Sequence, residues 1–186
     1  MALLDPLERS GPTRSRLSRP AVLASRVPRI ARSAVTQPDE MMTRIGHGIE
    51  LSQSGDRDQA RRLFAELWEQ IGPQGDALHR CALAHSMADV QDDPHDELVW
   101  DRRALQAADL VSDERAAQAG VSSPVAGFYP SLHLNLGEVY RKLGDAHAAR
   151  RHIDLGRAAA GALGQDGYSA MIRRGLQGLE ERLAEA

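Results

Sequence analysis

The sequence predicts an all-α protein of stacked antiparallel helix pairs, and three observations carry that expectation. Apolar residues recur at i, i+3, i+4 and i+7 spacing from residue 41 to the C-terminal end, the period of an amphipathic helix and not of a strand. Short breakers such as Ser54-Gly55-Asp56, Asp92-Asp93-Pro94 and Leu143-Gly144-Asp145 separate these stretches, and connections so short make consecutive helices antiparallel neighbours. Composition agrees: alanine, leucine, arginine and glutamate dominate, β-branched residues are sparse, and aromatics are only 4% of the chain, so the core is built from small aliphatic side chains.

The first 38 residues differ in kind from the rest. They carry seven arginines against Asp5 and Glu8, and Pro6, Pro12, Pro20, Pro28 and Pro38 interrupt any helix before it runs far. Residues 1–38 are therefore expected to be a disordered Arg/Pro-rich arm, and residues 39–186 a helical domain. Three readings compete for the arm. A solvated tail is the favoured one, including the case of a start placed upstream of Met41 and Met42. The others are a nucleic-acid arm, disfavoured because no aromatics interleave its arginines, and an organellar targeting peptide.

Within 39–186 each element has its own signature. Ala60, Leu63, Phe64, Leu67, Trp68 and Ile71 form one wide apolar stripe, preceded by a weaker helix in which Arg44 and His47 stand among Met41, Met42, Ile45 and Ile49. Residues 76–110 have helix-turn-helix form, with Ala82 or Ala84 as the small residue of the first helix and an uncertain register. Asp93 as cap, Pro94 at the first helical position, and Asp96 and Glu97 in the first turn satisfy the orphan amides and dipole of a helix start. Residues 111–130 form a long connection whose Phe128-Tyr129 pair is expected to pin it onto Trp100 or neighbouring helices. Leu132, Leu136, Val139, Tyr140 and Leu143, then Ala146, Ala149, Ile153, Gly156 and Ala160, mark two further helices, and Tyr168, Ile172, Leu176, Leu179 and Leu183 a last one over about 168–184.

The segment SLHLNLGEVYRKLGDAHAARRHIDLGR, residues 131–157, resembles a tetratricopeptide repeat, a helix-turn-helix unit of about 34 residues. Gly137 and Ala149 stand at that pattern's close-approach positions, Tyr140 and Ile153 at its large ones, and Gly144-Asp145 at its turn. A second copy begins at Met41, with Gly48, Leu51, Gly55-Asp56, Ala60 and Phe64 in the same places. The middle unit matches by form alone. The resemblance implies a tetratricopeptide-like superhelix of about three repeats with the last helix as a cap. It also implies a concave wall, lined by the first helix of each repeat, that holds a peptide.

The groove residues implied are Met42, Ile45, Ile49 and Gln53 in the first unit, and Ser131, Leu134, Asn135, Glu138, Arg141 and Lys142 in the third. Asn135 and Lys142 lie two turns apart on one face and could jointly hold a peptide carboxylate or backbone, while Glu138 and Lys142 are spaced to pair with each other. No nucleophile-and-base, phosphate-loop, dinucleotide or zinc-protease pattern occurs, so a non-catalytic protein is expected, with no cofactor. His79, Cys81 and His85 share helical spacing, but they continue the apolar stripe of Leu78 and Ala82 and are expected to be core residues with no metal. The single cysteine fits a reducing compartment, and no apolar run is long enough to span a bilayer, so a cytoplasmic protein without membrane contact is expected. The function expected is a scaffold that binds another protein or a peptide in its groove. The alternative is a regulator whose basic arm contacts nucleic acid.

Overall fold

A computed structural model describes residues 38–185, and the arm expected over residues 1–38 lies, apart from Pro38, outside the described residues. Among those residues the fold is all-helical, with eight α-helices, two 3₁₀ turns and no strand. The first pair is α1 (Glu40–Gln53) and α2 (Arg57–Ile71), the second α3 (Ala77–Ala88) and α4 (Pro94–Ala108). A connection containing the short helix α5 (Asp113–Gln118) leads to the third pair, α6 (Tyr129–Lys142) and α7 (Ala146–Ala159), and α8 (Gly167–Ala184) ends the chain.

Two of the three hairpin turns use the same device. Gly55 and Gly144 adopt φ of +99° and +79°, a conformation costly to any residue with a Cβ. It lets the next amide reach back to a carbonyl of the last turn: Asp56 donates to Leu51 and Asp145 to Tyr140, each at 2.9 Å. Those aspartates are also the N-caps of α2 and α7, and the Asp145 carboxylate accepts from the Ala148 amide. One residue thus closes one helix and opens the next. In the middle pair Asp93 caps α4 by accepting from His95, and Pro94 occupies the first turn as its sequence requires.

Each pair packs internally, and the second helix of each pair also packs on the first helix of the next: α2 on α3, α4 on α6, α7 on α8. The first helices are neighbours too, α1 with α3 and α6 with α8. The core is accordingly a series of clusters between successive helices. Ile45, Phe64, Leu67 and Leu83 fill one, Cys81, Ala84, Ala104 and Leu132 the next, and Leu136, Ile153, Leu179 and Leu183 another. Trp68 and Trp100 meet edge to face at 4.9 Å and tie α2 to α4. At Gly48 a Cβ would collide with the Phe64 ring of α2, which explains why the residue is glycine. Gly137 faces a different neighbour first. A Cβ there would lie 2.8 Å from Leu179 of α8 and 3.5 Å from the Ala149 carbonyl of α7, so it admits the last helix as well as its own partner.

Counting from the caps aligns the second helices. Four residues after Asp56, Asp93 and Asp145 stand Ala60, Glu97 and Ala149, and eight residues after stand Phe64, Asp101 and Ile153. Phe64, Asp101 and Ile153 are all buried, at 0%, 1% and 2% exposure. The middle pair therefore carries a partly exposed glutamate and a buried aspartate where its neighbours have alanine and a large apolar side chain.

Candidate functional site

The first helices and the connection before α6 enclose a cleft of about 240 Å³. One wall is α3, presenting Leu78, Cys81, Ala82 and His85, one helical face at i, i+3, i+4 and i+7. Opposite stand Ser131 and Leu132 of α6, with Met42 of α1 and Tyr168 of α8 at its margins. Val121, Ser123, Gly127 and Phe128 of the connection close it further. The lining is mostly apolar. The volume falls below the several hundred Å³ typical of small-molecule pockets and suits one or two side chains.

The connection is held there by charge and by packing. Arg115 of α5 donates through Nε to Asp76 and through Nη2 to Asp39, both at 2.7 Å, and so bridges the N-terminal caps of α3 and α1. His79 Nε2 lies 2.8 Å from the same Asp39 carboxylate. Burial opposes ionisation of Asp39, but hydrogen bonds from His79, Arg115 and the Met42 amide hold its carboxyl well below the usual carboxylate range. Phe128 and Tyr129 pack on the cluster of Cys81, Ala84, Ala104 and Leu132, where Trp100 also packs, as the aromatic pair predicts. The Tyr129 hydroxyl donates to Asp109 at 2.8 Å.

Beyond His85 the cleft becomes polar. Asn135 of α6 extends its amide toward three acceptors: Asp89 Oδ1 at 3.1 Å, Asp101 Oδ1 at 3.4 Å and His85 Nδ1 at 3.4 Å. Asp101 Oδ2 is buried without a partner. Burial, reinforced by the charges of Asp89 and Glu97, raises the Asp101 carboxyl to about 8, against the Asn135 hydrogen bond and Lys142. Burial likewise lowers His85 below the usual imidazole value, against the charge of Asp89.

The expected groove residues fall in different places. Met42 and Ser131 line the cleft, and Asn135 adjoins it through His85. Lys142 donates to both Glu97 oxygens, at 2.7 and 2.8 Å, and not to Glu138. Glu138 instead accepts from Arg141 at 2.7 Å and from Arg182 of α8 at 3.0 Å, so α6 and α8 are joined through it. Asn135 and Lys142 do not converge on a common ligand in the structure, because Asn135 donates to Asp89 and Lys142 is paired with Glu97. Ile45 is also corrected: at 1% exposure it packs beside Phe64 in the core, out of a partner's reach. Ile49, at 36%, is on the surface but does not line the cleft.

Of the residues considered as metal ligands, His79 is engaged with Asp39, while Cys81 and His85 face the cleft. Burial pushes the Cys81 thiol up to about 12, which makes it a poor nucleophile. No group of three or more His, Cys, Asp or Glu side chains is placed to hold a metal among the described residues, and none of their helices is long and apolar enough to cross a membrane. Sequence reasoning misses α5 and its Arg115. Ser112-Asp113-Glu114, an N-cap followed by two acids, is the available signal, and the Ser112 hydroxyl does accept from the Arg115 amide. Comparison with family models, with curated proteins and with solved structures returned no match.

Proposed function

We propose that this chain is a non-catalytic scaffold of the tetratricopeptide-repeat kind that binds a peptide segment of another protein in the cleft between its first helices. The observation that carries the reading is the cleft itself. It is apolar, sized for side chains, and faced by consecutive first helices, the wall on which stacked helix pairs present their inner surface. The order of contacts supports it, since each second helix packs on the next first helix, and so does a core spread along the stack. Anchoring one or two apolar side chains while the remainder of a peptide stays solvated is how helical-repeat grooves reach specificity from a small buried area.

The test is selection of peptides from a random display library on the full chain, followed by fluorescence anisotropy against wild type and Ala82→Trp. Ala82 lines the cleft and is only partly buried, at the edge of the cluster of Ile45, Phe64 and Leu83, so an indole there fills the space. The expected result is a loss of affinity of at least about tenfold with Tm nearly unchanged. Selected peptides that bind both proteins equally would contradict the reading.

A further inference from the structure

Polar groups at the inner end of the cleft do not balance. Asn135 has two amide hydrogens facing Asp89 Oδ1, Asp101 Oδ1 and His85 Nδ1, too few for all three in the tautomer whose Nδ1 carries no proton. The ammonium of Lys142 is directed to the two Glu97 oxygens. Asp101 Oδ2 has no partner in either protonation state: as a carboxylate it lacks a donor, and as the acid it lacks an acceptor. A buried group left in this condition is costly, and the neighbouring pairs show that the fold does not need it, since Phe64 and Ile153 occupy the same position. Glu97 is matched by Lys142, so the carboxylate left facing Asn135 without a cation is Asp89.

We propose that His85, Asp89 and Asn135, backed by the buried Asp101, form a subsite for a cationic side chain, arginine or lysine, of the peptide whose apolar residue fills the cleft. The inference rests on the groove reading and adds the chemistry of the partner. His85 belongs to both regions, because it lines the apolar cleft and meets Asn135. Asp89 lies one turn further along the same face of α3 and is exposed, which gives the guest its entry. A guanidinium or ammonium group supplies several donors and a positive charge to Asp89 directly, and to Asp101 through the amide between them. Complementarity extends beyond the subsite. Residues 39–186 carry a net charge of −8 by sequence, which attracts a basic segment and disfavours an acidic one.

Three probes on the full-length chain test it by ¹H–¹⁵N NMR titration: acetyl-Leu-Arg-amide, its neutral citrulline counterpart, and acetyl-Leu-Glu-amide. The arginine probe is expected to shift the backbone amides of Cys81 and Leu132 together with the side-chain amide of Asn135. It should bind about tenfold or more tightly than the citrulline probe, with the glutamate probe weakest. Asp89→Asn should remove the preference for arginine and leave the citrulline affinity in place. Equal affinities for arginine and citrulline, with the cleft amides shifting for both, would overturn the cationic subsite and leave the groove reading standing. No shift at Cys81 or Leu132 with any probe would overturn both.

Discussion

With burial raising its carboxyl to about 8, Asp101 keeps its proton in the folded protein through a range in which the unfolded chain, near 3.8, has already released it. The folded state therefore binds more protons than the unfolded state between those values. Stability contributed at this site falls as pH rises from about 4 to about 8 and does not return above it. Asp101→Asn removes the titration while keeping the shape. Its Tm relative to wild type is expected to increase steadily between pH 5 and pH 8.5, by several degrees in total, in thermal melts followed by circular dichroism. A difference that stays constant across that range would show that Asp101 is not held protonated.

At the scale of elements, the connection between α4 and α6 owes its place to Arg115, whose guanidinium joins the capping aspartates of two helices. Its ion pairs are partly buried, with Asp39 at 14% side-chain exposure, so losing the cation leaves carboxylates facing each other without compensation. Arg115→Ala is expected to raise hydrogen–deuterium exchange over residues 113–128 at least about tenfold, with α7 unchanged. Unchanged exchange in the connection would show that Phe128 and Tyr129 alone hold it. These elements also show where sequence is informative. Caps, turns and apolar stripes are local, so the start of α4 and the extent of α8 follow from residues a few positions apart, whereas α6 begins at Tyr129, inside the stretch read as connection. The Arg115 bridge spans 76 positions to Asp39, and no local pattern encodes it. Asp101 is hidden for a different reason. Amid Glu97, Arg102 and Arg103 it resembles one more solvated charge, and only the count from the helix cap places it at the interior position of Phe64 and Ile153.

Across the whole molecule, the glycine and alanine positions, the capping aspartates and the order of helix contacts all serve one arrangement. Among the first helices α1 lies beside α3 and α6 beside α8, with the cleft between α3 and α6. Charge is distributed to match, with the acids of the middle pair gathered behind the cleft and the arginines Arg141 and Arg182 tying its far end through Glu138. The proposed groove reading carries a direction of binding that can be tested: a partner segment is expected on α1, α3, α6 and α8, not on α2, α4 and α7. A crystal structure of the chain with a library-selected peptide tests it most directly. The peptide should lie against Leu78, Ala82, His85 and Ser131 with an apolar side chain in the cleft. A peptide seated on the outer faces of α2, α4 and α7 would contradict it.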